Sequence, residues 1–191
     1  LRSRGLGDVY KRQVDEAIVA MDPAPVAPGK YDIILRNDAM ASILGAFAGM
    51  FSADAAQKGL SPLAGREGED MAAECVTLMD DPLYPINPSP FDDEGTPSVA
   101  KAVIKDGKLE TLLHNLKTAK KAGVKSTSNG GRSSAGSPVG VRITNFYIAP
   151  KEGTLGQLIS ELGDGLLITD FSGLHAGVNP VSGKFSVLCK G

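Results

Sequence analysis

The side chains that could take part in acid–base or metal chemistry are few in this chain and lie far apart. There are two histidines, His114 and His175, and two cysteines, Cys75 and Cys189. His175 lies in a glycine-flanked loop that can approach a ligand closely, so it is the better functional candidate, with a structural or surface histidine as the alternative. His114 stands between a predicted strand and a predicted helix, where a solvated or capping role is expected.

The two cysteines indicate a compartment rather than a site. They are too far apart in the sequence for a zinc knuckle, and one pair is not the framework of a disulfide-rich domain. We therefore expect a reducing, cytoplasmic environment. Cys75 lies in an apolar run and is expected to be buried and inert. Cys189 is assigned no role.

Three adjacent carboxylates, Asp92, Asp93 and Glu94, follow Phe91 and precede Gly95. Such a cluster could bind a metal or exchange protons, but neighbouring carboxylates on an extended chain point to opposite sides. Aspartates in turns commonly accept hydrogen bonds from nearby backbone amides instead. The sequence therefore predicts a turn at this segment rather than an acid–base pair.

A stretch rich in serine and glycine, from Ser126 to Pro138, is almost free of apolar residues. Backbone amides in such a stretch could hold a phosphate group. The stretch nevertheless lacks the Gly-Lys-Ser/Thr sequence of a P-loop and follows no clear strand. We predict that it forms a mobile loop.

Composition argues against two classes of partner. The chain has 191 residues and a net charge of -2, which provides no basic face for nucleic acid. No apolar run is long enough to span a membrane. Hydrophobic residues make up 42% of the chain, which is typical of a globular protein with a core. We therefore expect binding neither to nucleic acid nor to a membrane.

The elements that must position these residues alternate irregularly between strand and helix. Strands are predicted at 31–35, 99–104, 108–113, 139–149, 166–169 and 185–188, and helices at 37–57, 115–122 and 155–162. The dipeptide Asp106-Gly107 between two apolar runs predicts a tight β-hairpin. The order of elements predicts an α+β fold in a single domain, with mostly antiparallel β-sheet that could close into a barrel-like shape and with a few helices.

The start of the sequence differs in character from the rest. Residues Asp8 to Gln13 resemble a translated sequencing-library adaptor, so residues 1–13 are expected to be foreign to the fold, with an ordinary polar tail as the alternative. Residues 14–29 contain a short amphipathic stretch and then a proline-rich linker. We expect them to be the end of a missing N-terminal domain, and residues 30–191 to form the domain itself.

Five segments of the chain carry a resemblance to a known family. They are Pro28–Ile33, Phe91–Pro97, Ser126–Gly130, Arg142–Ile148 and Gly177–Ser186. In this order they resemble the TldD/PmbA family, which comprises metallopeptidases and proteins described as modulators of DNA gyrase. The resemblance implies a C-terminal domain of the PmbA-like (TldE-like) type. Because family members continue beyond the position of Gly191, we expect a truncated sheet with an unpaired edge.

The resemblance also gives meaning to the helix that follows the first strand. In TldD subunits this helix carries a His-Glu-x-x-x-His pattern, whose histidines bind zinc and whose glutamate acts as a base for metal-bound water. Here the matching positions hold Gly45, Ala46 and Met50. Glycine and alanine offer no donor, and a thioether is a weak ligand for zinc. The departure implies a PmbA-like subunit with no metal, no cofactor and no catalytic residue of its own.

The resemblance implies a function that depends on a partner. The chain is expected to be the metal-free subunit of a heterodimer with a TldD-like, metal-bearing subunit, and the pair is expected to process or degrade peptides bound in extended form. Loops of the peptide cleft are expected at Ser126, Thr127, Asn129, Gly130, His175 and Asn179. The alternative is a self-sufficient peptidase of the same family that uses other residues.

Deletion of residues 1–13 tests whether this segment is foreign to the fold. We expect the thermal midpoint to stay unchanged, because a foreign segment adds no apolar contacts to the core. Thermal unfolding followed by circular dichroism measures the difference. A large drop in the midpoint would show that the segment belongs to the domain.

Overall fold

The computed structural model describes residues 6–21 and 24–191. The chain divides into two units, residues 1–31 and residues 32–191. The first unit contains helix α1, Leu6–Ala20, which includes most of the amphipathic stretch predicted at 14–21 and begins within the segment 1–13. Residues 1–5 and 22–23, which belong to the predicted foreign segment and linker, lie outside the described residues.

The second unit combines short helices with short strands. Its helices are α2 (Asn37–Phe47), α3 (Ala53–Gln57), α4 (Leu116–Ala122), α5 (Leu155–Leu162) and α6 (Leu174–Gly177). Its strands are β1 (Ile33–Leu35), β2 (Leu78–Asp80), β3 (Lys101–Lys105), β4 (Lys108–Leu109), β5 (Gly130–Gly131), β6 (Gly140–Val141), β7 (Phe146–Ile148), β8 (Leu166–Ile168), β9 (Asp170–Ser172), β10 (Val178–Asn179), β11 (Lys184–Phe185) and β12 (Leu188–Lys190).

The strands form one larger sheet and several pairs. The larger sheet has the antiparallel order β4-β3-β2-β7. The pairs β5–β6, β9–β12 and β10–β11 are antiparallel, and β1–β8 is parallel. The predicted α+β fold with mostly antiparallel sheet is confirmed. Within the described residues, the strands do not close into a barrel.

The core lies between the larger sheet and the helices around α3. It is built from buried aliphatic and aromatic side chains: Phe51, Ala53, Leu63, Leu78, Val103, Ile104, Leu109, Leu112 and Leu113. The ring of Phe51 packs edge-on against Phe146 of β7, with 5.3 Å between the ring centroids. Burial of side chains of this size contributes about 1.5–3 kcal/mol each, so this cluster is the main source of cohesion in the second unit.

The prediction of one continuous helix over residues 37–57 is wrong. Helix α2 ends at Phe47, and a 3₁₀ turn, Ala48–Phe51, leads to α3. The chain leaves the helical conformation at Ser52, whose neighbours bind the backbone of Leu113: the amide of Ala53 donates to the Leu113 carbonyl at 2.9 Å, and the Leu113 amide donates to the Phe51 carbonyl at 2.8 Å. Ser52 then caps α3 through its side chain.

Two other helices begin and end where local signals place them. Asn115 caps α4 in a reciprocal capping box with Thr118, and Gly123 ends the helix with a φ of 72°. Thr154 and Gln157 form the same kind of box at the start of α5. No helix among the described residues is long and apolar enough to cross a lipid bilayer.

The hairpin between β3 and β4 depends on Asp106 and Gly107. Both have positive φ, 47° and 80°, as a type I′ turn requires. Gly107 also lies against a neighbouring segment, since a Cβ at this position would come within 2.5 Å of the Ala72 carbonyl oxygen. The predicted hairpin is therefore confirmed, and its glycine is needed for its close approach as well as for its φ.

Replacing Gly107 by alanine should destabilise the domain by about 2–4 kcal/mol, because strain at positive φ adds to a clash with backbone atoms. Gly59 is the matched control, since it has a similar φ of 72° but a Cβ added there would meet open space. Gly59→Ala should cost only about 1–2 kcal/mol. Chemical denaturation measures both changes, and equal losses would contradict the role assigned to the close approach.

Candidate functional site

The positions expected to match the zinc-binding pattern lie at the end of α2 and in the 3₁₀ turn that follows. Gly45 is exposed, and a Cβ there would meet no atom within 4 Å. Ala46 is half-buried, and Met50 packs against the hydrophobic core. None of the three side chains can accept a proton or bind zinc well. The residues present at these positions therefore do not fit a zinc ion.

Helix α2 packs against α6 and β10, the elements that carry His175 and Asn179. Near the end of α2, the ring of Phe47 contacts Phe185 edge-on, with 5.8 Å between the ring centroids. Phe185 in turn pairs with Val178 across the β10–β11 hairpin. The structure thus brings one group of predicted cleft residues to the helix with the altered zinc pattern.

His175 and Asn179 differ in how far they are engaged within the chain. The side chain of His175 is exposed on the short helix α6. The Asn179 side-chain oxygen accepts hydrogen bonds from the amides of Val181 at 3.0 Å and Ser182 at 3.2 Å, which shapes the turn of the β10–β11 hairpin. Both residues are exposed, and the side chain of Asn179 shapes the hairpin beside His175.

The other group of predicted cleft residues, at 126–130, lies in a different environment, and the mobile loop predicted there is wrong for its first half. Ser126 and Thr127 are half-buried, while Ser128, Asn129 and Gly130 are buried. Asn129 is only 1% exposed, and its side-chain amide donates to Asp80 at 2.7 Å and to the Arg142 carbonyl at 2.8 Å. These contacts fix the position of the segment. Its polar groups therefore stabilise the fold and are less available to a ligand.

The partner of Asn129 is a fully buried carboxylate, that of Asp80. One oxygen accepts from Lys101 Nζ at 3.0 Å and from Asn129 Nδ2 at 2.7 Å. The other accepts from the Thr144 amide at 2.9 Å and from the Thr144 hydroxyl at 2.7 Å. The donors come from three separate parts of the sequence, so this cluster joins β2, β3 and the segments before β5 and β7.

The acidic turn at 91–97 is fastened to the same region, and the prediction of a turn is confirmed. Asp92 accepts from the amides of Glu94, Thr96 and Gly130, and its side chain is buried. Gly130 is needed here because a Cβ would lie 2.7 Å from the Glu94 side chain and 2.9 Å from that of Asp92. The carboxylate of Asp92 thus holds backbone amides rather than a metal or a substrate proton.

His114 and Cys75 lie in environments opposite to the predicted ones. His114 is buried, with 5% of its surface exposed, because it lies under the segment 126–129. Cys75 is exposed rather than buried, since it lies in a turn before β2, and it borders an open pocket of about 470 Å³ with Glu74, Asp106 and Lys151. Among the described residues, no three His, Cys, Asp or Glu side chains are grouped to hold a metal ion.

Sequence reasoning missed Asp80, Lys101 and Thr144 as partners of Asn129. Asp80 belongs to a turn signal with Asp81 and Pro82, which says nothing about the donors that reach it from other segments. A charged residue at the end of an apolar run, Leu78 to Asp80, is the one available signal, because a carboxylate there must either face solvent or find buried donors.

Comparisons with known proteins agree with the five matching segments. Residues 28–191 match the family described as PmbA/TldA metallopeptidase C-terminal domain. A protein from Archaeoglobus fulgidus named a metalloprotease is 36% identical over 141 residues, which cover 73% of this chain and 32% of the relative. The chain spans about a third of the length of this relative.

Two solved structures share the fold. A protein from Thermotoga maritima, described as a candidate modulator of a DNA gyrase, is 40% identical with a TM-score of 0.87, and the match covers 95% of this chain and 42% of that one. TldE from Thermococcus kodakarensis is 29% identical with a TM-score of 0.84, and the match covers 95% of this chain and 41% of that one.

Asp80→Asn should destabilise the second unit by about 3–5 kcal/mol, because it leaves the Lys101 ammonium, whose side chain is only 13% exposed, without a counter-charge. Asp70→Asn is the matched control: Asp70 is 81% exposed and lies 3.7 Å from Lys108, so screening by water makes its pair weak. Urea denaturation compares the two variants. Comparable midpoints for both would contradict the structural role of Asp80.

Proposed function

Since the chain belongs to the PmbA/TldA metallopeptidase family, with residues 28–191 matching its C-terminal domain, we propose that it acts as the metal-free subunit of a PmbA/TldD-type peptidase. In this proposal it forms a heterodimer with a TldD-like subunit that carries the metal. The pair processes or degrades peptides. This chain contributes part of the peptide-binding surface, and its partner contributes the metal that catalyses the cleavage.

The proposal rests on the side chains found at the positions expected to match the zinc-binding pattern. Gly45 has no side chain, Ala46 has only a methyl group, and Met50 is held against the core. A zinc peptidase needs nitrogen, oxygen or thiolate ligands and a group that takes a proton from the bound water. This helix offers neither, so a peptide bound here would need a metal from another subunit.

The likeness to TldE from Thermococcus kodakarensis supports the choice of subunit. That protein carries the name of the PmbA-like branch, and the likeness extends over nearly the whole of this chain. The unpaired state of the described cysteines, Cys75 and Cys189, supports the proposed cytoplasmic location, because a reducing compartment keeps thiols free.

The surface best suited to a partner or a peptide is the exposed face of α2 beside α6. Gly45 and Gly49 leave open space above the helix, and the neighbouring Ala41 and Ser42 are exposed and small. Another backbone can approach such a face closely. His175 lies on α6, which packs against α2. We assign this surface to the peptide cleft in preference to the buried segment 126–130.

Gly45→Arg tests this assignment in the assembled pair. The arginine would extend into open space, so the fold should keep its thermal midpoint while association with a TldD-like subunit from the same organism, or peptidase activity of the pair, falls by about 10-fold or more. Gly136→Arg is the matched control, because Gly136 also has open space around it but lies in the exposed 132–136 segment. Co-purification and fluorogenic peptide cleavage provide the two readouts.

The outcomes distinguish a wrong assignment of the α2 surface from a wrong proposed function. If Gly45→Arg and Gly136→Arg behave alike while the wild-type chain binds the TldD-like subunit, the heterodimer stands and the α2 surface is excluded. If the wild-type chain does not bind that subunit and cleaves peptides alone in a chelator-sensitive way, the chain is a self-sufficient peptidase and the proposed function is wrong.

A further inference from the structure

The backbone of His114 is the attachment point of the segment 126–129. Its carbonyl accepts hydrogen bonds from the amides of Thr127 at 3.3 Å and Asn129 at 3.2 Å, and from the Ser126 hydroxyl at 3.2 Å. Its amide donates to the Thr127 hydroxyl at 2.6 Å. Any movement of His114 therefore loosens the anchors of this segment together.

The imidazole of His114 is buried without full hydrogen bonding. Its Nδ1 atom is inaccessible to solvent and has no partner among the described residues. Burial lowers the pKa of His114 below its ordinary value of 6.5, and the Thr118 backbone and the Glu67 carboxylate oppose this shift more weakly. The ring is therefore neutral at pH 7, and its protonated form has no second hydrogen-bond acceptor prepared for it.

The charged groups around His114 do not provide that acceptor. Glu67, from the loop after α3, is the carboxylate that acts electrostatically on the ring. Asp92 and Glu94, from the acidic turn, are already bound to the amides of Gly130 and Leu116. The lysines of α4 and of the residues after it are exposed and would disfavour a further positive charge: Lys117, Lys120, Lys121 and Lys125.

We propose that His114 is an acid-sensitive latch, and that protonation of its imidazole by solvent releases the segment 126–130 from the core. The imidazolium has two N–H donors, and it satisfies them by moving towards water. That movement draws the His114 carbonyl away from Thr127 and Asn129. Asn129 then leaves Asp80, which loses one of its four hydrogen bonds. The device is independent of the proposed pairing with a TldD-like subunit.

The sign of the pH dependence follows from proton uptake on opening. In the open state the ring titrates near its ordinary pKa of 6.5, and in the closed state its pKa is lower. Between these two values, opening takes up protons, so the ratio of open to closed molecules rises as the pH falls, by at most about tenfold per pH unit. Above 6.5 the closed state gains nothing further, and below the lower pKa the response levels off.

Hydrogen–deuterium exchange of the full chain tests the latch. Peptides covering residues 126–131 should lose protection between pH 7.5 and 5.0, after correction for the intrinsic exchange rate, whereas β8 should not. His114→Gln keeps a neutral polar side chain, so its 126–131 segment should keep the same protection at both pH values. His175→Gln is the matched control, since it removes the exposed histidine and should respond to pH as the wild type does.

A pH-independent wild-type segment would overturn the latch, as would a response in His114→Gln equal to that of the wild type. If His114→Gln does not fold, NMR titration of His175→Gln decides, because His114 is then the single histidine of the chain. Its imidazole must titrate below 6.5, and the loss of protection must occur between that titration and 6.5. Titration at or above 6.5, or a loss of protection outside that interval, would exclude the latch.

Discussion

The buried carboxylate of Asp80 is the constraint on which the central part of the structure depends. A carboxylate removed from water costs several kcal/mol unless donors surround it. Here Lys101, Asn129 and Thr144 supply four hydrogen bonds, and each residue comes from a different stretch of chain. The native arrangement is the one in which all of them arrive together, so the carboxylate selects the pairing of β2 with its neighbours as well as the path of the segment 126–130.

The hydrogen bonds around Asp80 give a structural role to several of the segments that resemble the family. The acidic turn at 91–97 is tied through Asp92 to Gly130, and the segment at 142–148 is tied through Thr144 to Asp80. Three of the five matching segments therefore meet in one structural junction. The positions expected to match the family's zinc-binding pattern lie apart from it, at the end of α2 and in the turn that follows.

Local signals in the sequence were sufficient for some elements and not for others. The Asp106-Gly107 hairpin and the Asn115 and Thr154 caps were predictable because turn geometry and capping involve residues within four positions. The burial of Asn129 was not predictable from its serine- and glycine-rich surroundings, because its partner Asp80 is 49 residues away. The interruption of the predicted helix at Ser52 was missed for the same reason, since the neighbours of Ser52 bind the backbone of Leu113.

In the proposed function, a TldD-like partner catalyses the reaction, and this chain provides part of the surface that binds the peptide. Metal analysis together with peptide cleavage tests that division most directly, with the full chain purified alone and then with a TldD-like subunit. The account predicts no stoichiometric zinc and no cleavage for the chain alone, and zinc with chelator-sensitive cleavage for the pair. Stoichiometric zinc and chelator-sensitive cleavage in the chain alone would contradict it.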